Sequence, residues 1–361
     1  MTRRRTNAVK VGNITVGGFA PVSVQSMTNT DPHDFEATLD QITRLESAGC
    51  DIVRLTVPDK EAAETLFRIK NSGVTIPIVA DIHYDYKAAL EAVAAGADKI
   101  RINPGNIGGE DRIKAVAEAC KKRGIPVRVG ANSGSCRKEE LLRYGGPVPE
   151  ALCESALAYA RMFRKYDLDN IVISIKSSDT IGTIDANRLL CESSEYNDFP
   201  YPLHIGITEA GGGTDGIIKG SVGIGTLLAE GIGDTVRVSL TDDPVSEVYA
   251  AKKILASLDL LDEGYIDIVS CPTCGRTKIN VIEAYREISD FARSLKPKKK
   301  IKAAVMGCAV NGVNEARDAD VGIAGGDGKA VLFSHGTIIR TIEEREIIPE
   351  MKKYLKEMAE N

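Results

Sequence analysis

Two sets of residues in this chain carry chemistry. The first is three late thiols. Cys271 and Cys274, in Cys271-Pro-Thr-Cys274-Gly-Arg, follow the apolar run Tyr265–Ser270, and Cys308 follows the apolar run Ile301–Met306. A Cys-x-x-Cys pair lets two thiolates reach one metal centre, and spacing leaves three readings open. Cys-Pro-x-Cys-Gly resembles half of a zinc ribbon, but the second Cys-x-x-Cys is missing and the only late histidine is His335. A thioredoxin-like dithiol belongs in a different fold context. Three thiolates also suit a 4Fe–4S cluster whose fourth iron takes another ligand or the substrate. The other five cysteines, Cys50, Cys120, Cys136, Cys153 and Cys191, are scattered and read as structural, with Cys136 lying just behind a candidate substrate loop.

The second set is cationic. Val53-Arg54-Leu55, Ile100-Arg101-Ile102, Val127-Arg128-Val129 and Val236-Arg237-Val238 each place an arginine in an apolar run, and Ile175-Lys176-Ser177 places a lysine just after one. A single buried guanidinium reads as a structural ion pair. Five in one row of strands, each toward the C-terminal half, read as a polyanion site, because an unpartnered buried cation costs several kcal/mol. Arginine binds phosphate through two parallel N–H donors, and lysine adds a compact charge, so a diphosphate is the expected ligand. The loops that follow are rich in Gly, Asn and Ser, which lets backbone N–H groups approach an anion: Asn103–Gly109, Gly130–Ser135 and Glu209–Gly216. Two carboxylates stand among these strand ends, Asp81 and Glu209, and can bind hydroxyls or move protons. His83 and His204 could act likewise, against the commoner structural role for a lone histidine.

The elements that must hold these residues follow from periodicity. β-branched runs at Val22–Met27, Asp51–Val57, Ile76–Ile82, Lys99–Asn103, Pro126–Gly130, Ile171–Ser174, Pro202–Ile207 and Thr235–Leu240 start about 30 residues apart, the length of a strand, a helix and two loops. Amphipathic helices are expected between them, several stopped by a glycine. Eight such units in roughly 260 residues predict a TIM (β/α)8 barrel, with a doubly wound open sheet as the alternative because periodicity does not show closure. The barrel is expected over 1–262 and a small α/β domain over 263–361. In that domain a helix over Lys278–Leu295 leads through a lysine-rich link to strand Ile301–Met306, a Gly-rich stretch, strand Ala330–Ser334 and a final helix near Ile348–Met358.

Composition narrows the function classes. The 361 residues are 43% hydrophobic and 27% charged, as in a folded enzyme rather than a disordered or fibrous chain. Net charge is −5 and tryptophan is absent, so a nucleic-acid footprint is not expected. No apolar run is long enough to span a bilayer. Arg3, Arg4 and Arg5 are not followed by an apolar stretch, so no secretory signal is expected and a cytoplasmic location is.

Four segments together carry a resemblance: Val24-Gln-Ser-Met-Thr-Asn-Thr30, Ala80-Asp-Ile-His83, Lys99-Ile-Arg-Ile-Asn-Pro-Gly-Asn-Ile-Gly108 and Ser270-Cys-Pro-Thr-Cys-Gly-Arg-Thr277. In that order, and over essentially the whole chain, the sequence resembles the two-domain bacterial 4-hydroxy-3-methylbut-2-enyl diphosphate synthases, the IspG/GcpE family. The resemblance implies reductive ring opening of 2-C-methyl-D-erythritol 2,4-cyclodiphosphate with loss of water, in the non-mevalonate route to isoprenoids. It implies one 4Fe–4S cluster per chain, held by Cys271, Cys274, Cys308 and Glu315. It further implies electrons from a flavodoxin or ferredoxin, and a homodimer whose active site is shared between chains. It assigns Arg54, Arg101, Arg128 and Lys176 to the diphosphate, and Asp81, Asn103, Asn132, Glu209, Arg237 and Ser239 to other substrate contacts. Glu209 would assist proton transfer, and Glu315 would exchange for a substrate oxygen. One departure stands out. Where the family usually has Asn-Gly-Pro-Gly-Glu-Ala, this chain has Asn311-Gly-Val-Asn-Glu315-Ala316, and a left-handed turn at Asn314 is the expected substitute for the Pro-Gly turn. The rival readings are a redox-independent barrel enzyme, such as a pterin-binding synthase related to dihydropteroate synthase, with a zinc-stabilised appendage, and a non-enzymatic iron–sulfur sensor or scaffold, which leaves the cationic strands unexplained.

Overall fold

The computed structural model describes residues 2–361, which divide into two compact units at Leu260/Leu261. The first opens with a hairpin, β1 (Val9–Val11) and β2 (Ile14–Val16), that packs Val11 and Val16 against Ile52 and Val79. Eight parallel strands follow: β3 (Ser23–Met27), β4 (Ile52–Thr56), β5 (Ile78–Ile82), β6 (Lys99–Ile102), β7 (Val127–Ala131), β8 (Ile171–Ile175), β9 (His204–Ile205) and β10 (Thr235–Val236). Their order is β8-β7-β6-β5-β4-β3-β10-β9. The circle closes between β8 and β9, where Ile173 bridges Leu203 and the Ile173 N–H donates to the Pro202 carbonyl at 3.0 Å. The unit is therefore a closed TIM barrel and not an open sheet.

Local sequence explains where five of the return helices begin. Asp34, Asp59, Asp85, Asp179 and Asp243 stand at helix N-caps, and each carboxylate accepts a backbone N–H of the first turn. An Asp there satisfies a donor that has no partner inside the helix. Apolar side chains of these helices, such as Ile42, Leu45, Leu66, Ile69 and Leu190, are fully buried against the barrel's outside.

The second unit is one five-stranded sheet, β11 (Ile266–Ser270), β12 (Ile301–Met306), β13 (Val321–Gly325), β14 (Lys329–Ser334) and β15 (Thr337–Glu343), in sequential order. The first three are parallel and the last two join antiparallel. Helices Val281–Arg293 and Ile347–Glu360 share one core with a face of this sheet, through Ile288, Val305, Ile323, Met351 and Leu355. Ala304, Met306, Ala324 and Phe333 form a second cluster. Two expectations need correction. The Gly-rich stretch before Gly328 contains the buried strand β13, whose small residues are required because a Cβ at Gly322 would lie 2.3 Å from the Phe333 ring. Residues Ala309–Glu315 form a helix, and Asn314 is not left-handed. Replacing Pro-Gly by Val-Asn removes the two poorest helix formers, so the helix runs on to Glu315.

One close approach matters for the barrel's mouth. A Cβ on Gly130 of β7 would stand 2.0 Å from the Ser174 carbonyl oxygen of β8. Gly130→Ala should force the two strands apart and destabilise the protein by about 1–3 kcal/mol. Chemical denaturation reads this directly, and an unchanged midpoint would refute the packing argument.

Candidate active site

Strand alternation decides what the barrel interior holds. Asp81, Arg101 and Arg128 are register partners across β5, β6 and β7, so all three point to one face. Arg54 and Lys176 enter the same space from β4 and from the end of β8, and Arg237 follows β10. Together Arg54, Arg101, Arg128, Lys176 and Arg237 line a cavity at the C-terminal ends of the strands, with Gly130, Ala131, Asn132, Ser135, Ser174, Thr208 and Ser239. Its empty space, counted with the open mouth, is about 540 Å³.

The charges do not cancel. Asp81 pairs with Arg101 at 2.9 Å and Arg54 at 3.4 Å. Glu247 takes Arg237 through two hydrogen bonds, 2.9 and 3.1 Å, and also accepts from the Ser26 hydroxyl and the Leu240 N–H. Two carboxylates thus face five cations, in a chain whose net charge is −5. Arg128 is buried and donates to a neutral acceptor, the Gln25 Oε1, at 3.2 Å. The surplus leaves its mark on acidity. Burial would raise Asp81, but Arg54, Arg101 and Arg128 outweigh it and hold the carboxyl at about 2. Burial, with Arg237 and Arg101 adding repulsion to the pull of Asp81, brings Arg54 down to about 10. Burial and then the neighbouring arginines depress Arg128 and Lys176 far below their usual ranges. Arginine does not give up its proton in a protein, so this direction means that the cluster is under electrostatic load that a bound dianion relieves.

Of the other expected site residues, Asn132 and Ser239 line the cavity, and the Asn132 side chain accepts from the Gly134 N–H at 3.0 Å, which shapes the loop. Asp81 lies beneath the cavity and holds two of its arginines. Asn103 is buried outside the cavity lining and caps the short helix Pro104–Ile107 by accepting from the Gly105 N–H. Glu209 is exposed in the loop after β9, with a φ of +54°, a strained conformation for a side chain of this size. Ser174 and Thr208 were missed in the sequence. Ser174 stands two residues before Lys176, so strand alternation alone would have placed it beside the cations. Glu247 and Gln25 were also missed: Gln25 lies in the first of the family-like segments, but no local pattern pairs either residue with its arginine, because they meet only through the closed fold.

In the second unit, Cys271 and Cys308 follow adjacent parallel strands, and the Gly307 N–H donates to the Cys271 Sγ at 3.1 Å. Cys274 is exposed, and hydrogen bonds from the Arg276 backbone and side chain lower its thiol below the usual range. Glu315 ends the helix that Cys308 caps, and is exposed. Among the described residues, no three His, Cys, Asp or Glu side chains stand close enough together to hold a metal ion. The donor chemistry nonetheless fits a cluster. All eight cysteines are free, and three of them are at this one edge. By contrast, burial pushes Cys50, Cys120 and Cys153 up to about 12 and Cys191 to about 11, which disfavours the thiolate that iron requires.

Asp81 gives the site a signature in acid. Its carboxyl titrates near 2 in the folded protein and near 3.9 in an unfolded chain. A depressed carboxyl contributes stability that is present above about pH 4 and is lost as pH falls through its folded value, here on the order of 2 kcal/mol. Urea unfolding between pH 5 and 2 should therefore show a steeper loss in the wild type than in Asp81→Asn. Parallel curves would mean that the ion pairs are not formed.

Comparison with known proteins bears on both units. Residues 6–252 match the GcpE TIM-barrel domain, and residues 267–357 match the GcpE protein C-terminal domain. The chain is 55% identical over 356 residues to the 4-hydroxy-3-methylbut-2-en-1-yl diphosphate synthase (flavodoxin) of Ruminiclostridium cellulolyticum, covering 99% of this chain and 98% of that one. It is 52% identical over 357 residues to the enzyme of the same name from Caldanaerobacter subterraneus, with 99% and 98% covered. Among solved structures, dihydropteroate synthase from Thermus thermophilus matches at 14% identity and a TM-score of 0.49, covering 71% of this chain and 99% of that one. On its two matched domains and its full-length relatives, this chain belongs to the GcpE family.

Proposed function

We propose that this protein is a 4-hydroxy-3-methylbut-2-enyl diphosphate synthase. It would open 2-C-methyl-D-erythritol 2,4-cyclodiphosphate by two-electron reduction with loss of water, the penultimate step of the non-mevalonate isoprenoid pathway. The observation that carries the reading is the cavity with five cations and two carboxylates at the strand ends. A cyclic diphosphate is the class of ligand that such a surplus binds, and the relatives' names supply the reaction.

The residues divide the work as follows. Arg54, Arg101, Arg128 and Lys176 bind the phosphates and neutralise them, which fixes the carbon skeleton relative to the barrel. Asp81 and Glu247 keep Arg101, Arg54 and Arg237 in place while the site is empty. Asn132 and Ser239 offer hydrogen bonds to bridging or hydroxyl oxygens, while Asn103 acts through the loop that it caps. The Glu209 carboxyl, on a strained and exposed loop, carries the proton that lets the departing hydroxyl leave as water. Cys271, Cys274, Cys308 and Glu315 would hold one 4Fe–4S cluster, which supplies the electrons when bound. A carboxylate is a harder ligand for iron than thiolate and exchanges more readily, so Glu315 would be the replaceable member of that ligand set. The proposed donor is flavodoxin, the carrier in the relatives' names, with ferredoxin as the other candidate. The reading extends to a homodimer with an active site shared between chains, acting in the cytoplasm. No helix among the described residues is long and apolar enough to cross a membrane.

Protein purified without oxygen should be brown and contain about four iron and four sulfide per chain. A colourless protein holding only zinc would overturn the assignment. With reduced flavodoxin and the cyclodiphosphate, Arg128→Met should lower kcat/KM by about 100-fold, while its unfolding midpoint stays level or rises because charge repulsion is relieved. Full activity in Arg128→Met would remove the cavity from the mechanism. Glu315→Cys should keep a cluster and lose most turnover, and full turnover there would refute the exchange role.

A further inference from the structure

The mechanism leaves one buried contact unused. His204 of β9 has no exposed surface, and its Nε2 lies 2.9 Å from the Lys176 Nζ. His204 lies at the start of the two-residue strand β9, and Gly206 follows two residues later on the same face. A Cβ at Gly206 would stand 2.6 Å from the Lys176 Nζ and 3.3 Å from its Cε. The lysine head therefore sits in a notch, with an imidazole on one side and a bare backbone on the other. We infer that His204 is a positioning residue: it accepts one ammonium hydrogen of Lys176 and so aims the remaining two into the diphosphate cavity.

The donor count makes the assignment specific. A charged lysine has three donors and no acceptor, so it can hydrogen-bond Nε2 only if that nitrogen carries a lone pair. The proton of the neutral ring then sits on Nδ1, which is buried and has no hydrogen-bond partner among the described residues. An imidazolium would turn an N–H toward the ammonium and break the contact. The surroundings keep the ring neutral: burial first, then Lys176, Arg128, Lys99 and Arg54, push His204 far below its usual range. Lys176 itself faces Arg128, Arg237, Arg54, Glu247 and His204. Without an acceptor in this notch, a lysine among those arginines would lose its proton or turn its head away. This inference rests on the reading of the cavity as a diphosphate site.

Inorganic pyrophosphate binding to the full-length protein, measured by calorimetry from pH 6 to 9, tests it with a pair of amides. Gln carries its oxygen near the position of Nε2 and can still accept from Lys176, whereas Asn is too short. His204→Gln should bind pyrophosphate within about 3-fold of the wild type. His204→Asn should bind about 10-fold more weakly, and its loss of affinity on raising the pH should have a lower midpoint than in the wild type, because the lysine loses its proton sooner. The anion binds the protonated lysine, so affinity falls as pH rises in every variant, and the midpoint is what moves. With the cyclodiphosphate, His204→Asn should show a raised KM and a nearly constant kcat, while His204→Gln keeps a KM near that of the wild type. Equal affinities and equal pH midpoints for Gln and Asn would overturn the role of His204 and leave the cavity reading intact. A wild type that binds no pyrophosphate would take down both. His204→Leu, compared by thermal unfolding, separates lost packing from lost aim: a folded His204→Leu protein with wild-type binding would also overturn the inference.

Discussion

Five cations are gathered at one end of a closed barrel, and their mutual repulsion is the constraint on which the rest of the site depends. Two like charges about 8 Å apart repel by about 2 kcal/mol at an effective dielectric of 20. A set of five is stable only because each head is tethered from a different strand and closure of the barrel prevents the strands from spreading. Asp81 and Glu247 relieve part of the load, Asp81 by pairing with Arg101 and Arg54 and Glu247 by holding Arg237. The remainder is left for the ligand. A site that is uncomfortable when empty and relieved when filled binds by electrostatic preorganisation, since little has to reorganise when the anion arrives.

The same constraint accounts for details that look unrelated. Gly130 allows β7 and β8 to approach at the level of the cations, and Gly206 leaves room for the Lys176 head. Gln25 gives Arg128 a neutral acceptor where a carboxylate would consume its charge. Lys99, one layer below Arg101, is fully buried with no hydrogen-bond partner among the described residues. Burial, then Arg128 and Arg54, drive it toward the neutral form, so the depth of the barrel adds polarity without adding a sixth full charge. The second unit shows the opposite economy. Its three cysteines stay accessible at the end of the first two strands while the barrel's thiols are buried, so reactive sulfur is kept in one place.

Much of this was legible in the sequence. The eight barrel strands stand where β-branched runs repeat about every 30 residues, and β12 has the bounds its apolar run predicts, Ile301–Met306. Five cation-bearing strands were enough to indicate an anion site, because strand alternation turns a residue's type into a direction. What escaped has physical causes. β13 is built from small residues because Phe333 occupies the space beside Gly322, and a strand of Val, Gly, Ile and Ala does not differ from a loop by composition. The turn expected at Asn314 gave way to a helix, because Val and Asn do not interrupt one as Pro and Gly would. Asn103, expected among the substrate contacts, also has a structural task that its motif did not show: it caps a helix, as an asparagine before a proline-started helix often does.

Alternation, spacing and residue type along the chain were thus sufficient for the class of fold, for a positive site at the strand ends and for three thiols set apart from the rest. These are local properties, carried by neighbours in sequence. Closure between β8 and β9, the two arginines shared by Asp81, the grip of Glu247 on Arg237 and the seat of Lys176 against His204 were decided by tertiary structure alone. Each joins residues that lie apart in the chain, by 10 to 30 positions, and no local pattern records which buried charge will find which partner once the barrel has closed.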